Sequence, residues 1–342
     1  MHPLLSVESL EAELSRPTAG VLDTLGRLDG DIVVLGAGGK MGPTLARMAR
    51  RGLDAIGAPH RQVFAVSRYS SPDASARLRA HGVVPIPCDL LDRPAVARLP
   101  DAANVIFMAG QKFGTADAPD ATWAMNTLVP AIAAERYAGA RTVVFSTACV
   151  YPLVPVGGPG ADESVAPGPP GEYAGSCVGR ERISEFFSRR HATPVLLFRL
   201  SYAIDLRYGV LCDVAGKVWR GEPVDVTMPA ANVIWQGDAN ACALRCLEHA
   251  TLPAVPLNVT GVEPVAIRRL AERFAERLGR PAIITGTEGD TAWLVDARRA
   301  AALLGPPEVG LDEMIEAQAA WVRDGRPVLN RPTHFEVRDG HF

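Results

Sequence analysis

The chain has 342 residues, 48% of them hydrophobic and 21% charged, and carries a formal net charge of −3. That composition describes a globular chain with ample material for a core, too apolar for disorder, and the scattered arginines leave no basic footprint for nucleic acid. No apolar run approaches the roughly 20 residues of a membrane span, and the N-terminus lacks a basic stretch followed by an apolar core, so a cytoplasmic protein that meets no membrane is expected.

Residues 1–29 come first, with Leu5, Leu10 and Leu14, then Val21, Leu22, Leu25 and Leu28, at helical spacing interrupted at Pro17. They read as two short helices forming an N-terminal extension. The stretch Asp31-Ile-Val-Val-Leu-Gly-Ala-Gly-Gly-Lys-Met-Gly42 follows, a β-branched run ending in a glycine-rich turn that opens a helix. Gly36 permits the tight turn, Gly39 lets backbone approach a pyrophosphate, and Gly42 lets the helix pack close to the strand. The helix start then offers unpaired N–H groups and a positive dipole end to the phosphates. This turn predicts a dinucleotide site.

From there strand and helix alternate. Strands are expected at Gln62–Val66, Gly82–Ile86, Asn104–Met108, Arg141–Phe145 and Thr193–Phe198, with helices such as Ala121–Tyr137 and Gly175–Arg190 between them. Continuous apolar strands alternating with helices imply a Rossmann-type doubly wound parallel sheet, an α/β fold. Residues 30–202 form the dinucleotide-binding domain in this reading. Val154–Pro170, rich in Pro and Gly, is a long loop at the end of the sheet where such folds keep their site. Beyond Tyr202 a smaller, mostly helical C-terminal region (203–342) would bind substrate, with helices at Cys212–Arg220, Ala239–Ala250, Val265–Leu278 and Leu311–Asp324. A strand near 257–260 is placed to return to the main sheet. The tail from Asn330 to Phe342 has no periodicity.

The six cysteines, at 88, 149, 177, 212, 242 and 246, show no C-x-x-C spacing, so neither metal nor disulfide is expected. Lysine stands only at 40, 112 and 217, all other basic residues being arginine, which makes each lysine a candidate for a specific task. At the end of the second strand, where a carboxylate would accept both ribose hydroxyls of NAD, stand Ser67 and Arg68. An uncharged residue plus an arginine suits a 2′-phosphate, so NADP is preferred over NAD.

Together these motifs resemble the extended short-chain dehydrogenase/reductases, the NAD-dependent epimerase/dehydratase family, from about Asp31 to Gly325. Gly36, Gly39 and Gly42, with Lys40 and Met41 between them, match its glycine signature. Cys88-Asp-Leu90 resembles the turn whose acid, here Asp89, holds the adenine amino group. Ala109-Gly-Gln-Lys112 resembles the turn after the fourth strand, with Gly110 beside the cofactor, and Asn126 matches the helix asparagine that steadies the site. Ser146-Thr-Ala-Cys-Val-Tyr-Pro152 resembles S-[ST]-x-x-V-Y-G and puts Thr147 in the catalytic Ser/Thr place. Phe198-Arg-Leu-Ser-Tyr202 resembles the R-x-x-N turn over the nicotinamide, which brings in Ser201. Leu257–Gly261 and Trp293-Leu-Val-Asp296 resemble its C-terminal strand and the segment before its last helix.

One motif departs from the pattern. Where the family has Y-x-x-x-K, this chain reads Tyr173-Ala-Gly-Ser-Cys177. In the family the tyrosine exchanges a proton with the substrate while hydride moves, and the lysine holds the ribose and favours the tyrosine anion. Without a cation, a tyrosine with the reference pKa of about 10 is ionised in roughly one molecule in a thousand at neutral pH. Three readings stand: another cation serves, Lys112 first and Arg180 one turn beyond Cys177 second; neutral Tyr173 donates its proton during reduction; or the protein binds cofactor without turnover, as a regulator or scaffold. Cys177 itself reads as a small helix residue facing the cofactor.

The expected activity is that of an NAD(P)-dependent oxidoreductase or epimerase of a sugar or sugar-acid derivative. Thr147, Tyr173 and Lys112 are its catalytic candidates. Thr147, Tyr173, Asn232 and Trp235, with His334 and Arg338 of the tail, are candidate contacts to a small, polar, sugar-like substrate. The resemblance also implies a homodimer.

Overall fold

The computed structural model describes residues 6–69, 71–112, 114, 117–331 and 333–340. Leu5, Pro332, His341 and Phe342 lie outside them. Two helices come first, α1 (Val7–Leu14) capped by Ser6 and α2 (Ala19–Arg27) capped by Thr18. Both pack on helices of the main body introduced below, α3 and α10.

The run Ile32–Leu35 is β1, buried at all four residues. After it come α3 (Gly42–Ala55), β2 (Val63–Ser67), α4 (Pro72–Ala80), β3 (Val84–Pro87), α5 (Arg93–Ala97) and β4 (Asn104–Phe107). A continuous helical stretch then runs through α6 (Pro119–Trp123), a π-helical turn (Ala124–Leu128) and α7 (Val129–Arg136) to β5 (Arg141–Thr147). The second half holds β6 (Val154–Pro155), α8 (Gly171–His191), β7 (Val195–Leu200), β8 (Ala203–Ile204), α9 (Val210–Arg220), β9 (Pro223–Asp225), β10 (Ala230–Ala231), β11 (Ile234–Trp235) and α10 (Gln236–Arg245). It ends with β12 (Val255–Val259), β13 (Val265–Ala266), α11 (Ile267–Leu278), β14 (Ile283–Thr285), β15 (Thr291–Ala292), α12 (Arg298–Leu304) and α13 (Leu311–Arg323).

Seven strands make one sheet in the order β12-β7-β5-β4-β1-β2-β3, every pair parallel. A parallel sheet needs crossover helices on both faces, and two apolar clusters sit there, one under α2, α3 and α10, the other under α5 and α7. The chain therefore has the Rossmann-type α/β fold. Strand β12 lies at the edge beside β7, with Leu257 opposite Phe198. The order turns back between β1 and β4, which opens a crevice at their carboxyl ends.

A third cluster, built from α1, α9, α11 and α13, carries the C-terminal region and takes in Phe335 of the tail. The tail is thus anchored. Thr333 donates through N (2.9 Å) and Oγ1 (2.5 Å) to Asp213 on α9, and the Arg338 guanidinium donates to Thr291 O (2.7 Å) and Oγ1 (2.6 Å). No helix among the described residues is long and apolar enough to cross a membrane.

Candidate functional site

At the crevice the glycine turn lies against the end of β4. Gly36 has φ +89°, and a Cβ on it would collide with the backbone of Ala109. At Gly42 a Cβ would collide with the carbonyl of Ala37, whereas at Gly39 it would meet only Gly36 O, at 3.5 Å. The middle glycine therefore presents bare backbone to the crevice. Helix α3 begins at Gly42 after Met41, with no side-chain cap and with proline in its first turn, so no capping side chain claims its leading amides. These features fit a dinucleotide pyrophosphate.

Lys40 points from this turn across the crevice. Its ammonium donates to Ala203 O at 2.6 Å and lies 4.6 Å from the centroid of the Tyr208 ring. Burial pulls its pKa down to about 8.

On the adenine side, Ser67 ends β2 beside Gly38, Arg68 is exposed, and Asp89 is exposed with its carboxylate accepting from Leu91 N at 3.0 Å. Leu90 is buried among the apolar residues of the second face.

The turn after β4 is held by the π-helical turn, whose widened coil delivers Asn126. Asn126 is fully buried and brackets Gln111, accepting from its N and donating to its O, both at 3.0 Å. It also donates to Ser176 Oγ on α8 at 2.9 Å. Lys112 follows on this loop. Its ammonium makes a 3.4 Å hydrogen bond to Thr333 O of the tail and lies 5.9 Å from the Tyr202 ring centroid. Burial lowers its pKa, with Cys149, Asp213 and Cys177 pulling the other way.

Strand β5 ends at Thr147, whose hydroxyl accepts from Cys149 N at 3.2 Å and whose side chain shares the cleft with Tyr173 and favours the ionised phenol. Tyr173 packs against the cluster that holds Cys177. Burial pushes the phenol well above its usual value, the Cys177 and Cys149 thiols add to that, and the Arg180 charge opposes it. Tyr173 is therefore a neutral proton donor at neutral pH. Cys177 is fully buried and packs with Ala148, Val150, Tyr151, Ala161 and Val295; burial raises its thiol to about 11. It belongs to the packing behind Tyr173 and does not line the cleft as expected.

Arg180, seven residues after Tyr173, is the cation α8 supplies. Side chains on a helix lean back toward its N-terminus, and this one reaches the crevice wall. Its guanidinium donates to Phe145 O at 2.7 Å and Asn126 Oδ1 at 2.6 Å. The register of α8 is fixed below by Glu181, which takes two bonds from Arg199 on β7 (2.9 and 2.6 Å) and one from Ser146 Oγ (2.6 Å). Arg199 also donates to Tyr151 at 2.6 Å.

These elements line a cleft of about 290 Å³. Of the residues expected at the site, Gly36, Gly39, Lys40, Met41, Gly110, Lys112, Thr147, Tyr173 and Ser201 line it. Ala109, Gly42 and Asn126 brace its walls from behind. Asn232 and Trp235 do not reach it. Asn232 is buried with its amide donating to Gly261 O (3.2 Å) and accepting from Val295 N (3.0 Å), and Trp235 is core packing of the C-terminal cluster. Arg338 is held on Thr291, and His334 borders a separate cavity next to α9. Tyr208 lines the cleft without any signal in the sequence, and Trp293, the first residue of the Trp293–Asp296 motif, lines it too although the motif gave it no place at the site. Among the described residues no cluster of His, Cys, Asp or Glu could hold a metal ion.

The sequence matches the NAD dependent epimerase/dehydratase family over residues 32–204. Three solved structures share its fold. MoeE5 in complex with UDP-glucose and NAD is 22% identical over 86% of this chain and 99% of that one, with a TM-score of 0.68. The UDP-glucose 4-epimerase of Thermus thermophilus complexed with NAD is 20% identical over 86% and 99%, TM-score 0.68. DesIV, the dTDP-glucose 4,6-dehydratase of Streptomyces venezuelae with NAD and TYD bound, is 16% identical over 86% and 97%, TM-score 0.71. No curated protein matches the sequence.

Proposed function

Because the chain belongs to the NAD dependent epimerase/dehydratase family, we propose that it is an NAD(P)-dependent oxidoreductase or epimerase acting on a sugar or sugar-acid derivative. The observation that carries this reading is the placing of Thr147 and Tyr173 in one cleft with Gly36 and Gly39 of the glycine turn, behind which lies an uncapped helix start. The glycine turn and Gly110 hold the dinucleotide. NADP is preferred over NAD, since Ser67 and Arg68 offer a 2′-phosphate a cation and no carboxylate.

The bound cofactor supplies or accepts hydride at its nicotinamide. Thr147 donates a hydrogen bond to the reacting oxygen, and Tyr173, kept protonated by burial, gives that oxygen its proton in the reductive direction. The phenolate left behind needs a positive neighbour. Arg180 takes that role in place of Lys112, because Arg180 is anchored on the same helix and wall as Tyr173, while Lys112 is turned toward the tail and Tyr202.

A homodimer belongs to the same proposal. Trp123, Leu128 and Phe186 are 41%, 44% and 49% exposed on adjoining helical segments, an apolar face that a second copy would cover.

Titration with NADPH, followed by nicotinamide fluorescence and then turnover against paired sugars and sugar acids, tests the reading. NADPH binding, together with turnover that vanishes in Tyr173→Phe, supports it. Tight NADPH binding with no turnover on any compound would instead make the protein a non-catalytic dinucleotide-binding regulator.

A further inference from the structure

Tyr173 stands in the first turn of α8, two residues after Gly171, where no earlier turn of the helix holds it. The leading amides of a helix have no acceptor within it, and helix ends open more readily than interiors. The N-cap residue here is Pro170, whose side chain offers no acceptor. A phenol that must deliver a proton to one place is therefore carried by the part of α8 least able to hold itself.

Against that turn lies the end of the chain. Beyond Phe335, which is buried in the C-terminal cluster, the tail turns back, with Val337 N donating to His334 O at 3.1 Å. Arg338 then fastens it, donating to Thr291 O (2.7 Å), Thr291 Oγ1 (2.6 Å) and Thr227 O (3.3 Å). Two residues on, Gly340 meets Gly171 backbone to backbone. A Cβ on Gly171 would collide with the carbonyl of Gly340, and one on Gly340 with the carbonyl of Pro170. Both residues also have positive φ, +78° and +80°, so the contact favours glycine on each side. Two further ties reach the same turn: Glu172 accepts from Trp123 Nε1 at 2.5 Å, and Ser176 Oγ donates to Tyr173 O at 2.8 Å.

We propose that Arg338 and Gly340 are positioning residues for Tyr173: the end of the chain clamps the first turn of α8 and so keeps the phenol aligned with the reacting oxygen. Neither residue lines the cleft, so both act through the helix. The clamp rests on the proton role given to Tyr173 above.

Three variants of the full chain test it. Arg338→Met frees the tail from Thr291, Gly340→Ala drives a methyl group into Pro170, and Arg338→Lys keeps a charged donor. Amide hydrogen exchange is followed over residues 175–178, whose amides close the first turns of α8, with β1 as the internal reference. NADPH affinity is measured beside it, with turnover of D-glucose, D-gluconate and D-glucuronate by NADP and by NAD. In Arg338→Met and Gly340→Ala, exchange at 175–178 is expected to quicken tenfold or more and kcat to fall tenfold or more. KM should stay within threefold, NADPH affinity within twofold, and exchange in β1 unchanged; Arg338→Lys should recover most of both losses. Faster exchange with kcat unchanged makes the tail a structural fastening only and overturns the proposal. Unchanged exchange in both variants overturns it, and so does exchange that quickens equally in β1, which reports general unfolding. A wild-type protein that binds NADPH and turns over none of the three compounds removes the proton role of Tyr173 and the positioning role with it, so the two failures are told apart by the wild type.

Discussion

Gly110 and Arg180 meet at the wall of the cleft: a Cβ at position 110 would collide with the Arg180 guanidinium, so the cation sits directly against the backbone of the turn after β4. A charge so placed acts on the proton of Tyr173 without being able to swing away. Arg180→Met is expected to lower kcat by about 10²-fold or more, the scale of a lost contribution to proton transfer, and to leave KM little changed. Arg180→Lys should recover part of that loss. A kcat in Arg180→Met equal to the wild type, with the same pH profile, would remove Arg180 from the mechanism.

Cys177→Lys restores the family motif in the sequence but not in the molecule. Position 177 is enclosed by Ala148, Val150, Tyr151 and Val295, and the charges of Arg180 and Lys112 both act on it. A third ammonium there would be desolvated and repelled. The variant is expected to be less stable than the wild type and no more active, as read by denaturant unfolding and by turnover. A gain in kcat would show that the native site is an impaired form of the usual one.

The Glu181–Arg199 pair is buried on both sides, at 1% and 4% exposure of the side chains, and joins α8 to β7. Removing one partner leaves an uncompensated charge. Arg199→Met is expected to cost about 3–5 kcal/mol of unfolding free energy, measured from urea midpoints. The double variant with Glu181→Gln should cost less than the sum of the two single changes.

Phe186→Glu places a charge in the exposed apolar face of α8. Sedimentation should show the wild-type protein as a dimer and the variant as a monomer, with NADPH affinity retained. A monomeric wild type would end the dimer proposal.

The sheet was legible because its strands are buried on both faces and so read as unbroken apolar runs, as in Ile32–Leu35 and Asn104–Phe107. Helix α8 gave a weaker signal. Its inner stripe is polar, with Ser176, Arg180, Glu181 and Ser184 buried against partners that only the fold supplies. In the glycine turn, Gly36 and Gly42 answer to local steric demands that a sequence can show, since a Cβ at either would strike backbone. Trp235 and Asn232 were not, because an indole that stacks on a ligand and one that fills a core look alike in a sequence. The direction of Lys112 was equally hidden. It is set by Thr333, 221 positions away.

That distance also bears on how such a site changes. The segment around Thr333 and Phe335 belongs to no strand or helix, touches the site through the bond from Lys112 to Thr333 O, and is held in the C-terminal region by Asp213 and the buried Phe335. A substitution at Thr333 therefore acts in two places at once, on the direction of Lys112 and on the packing of α9 through Asp213.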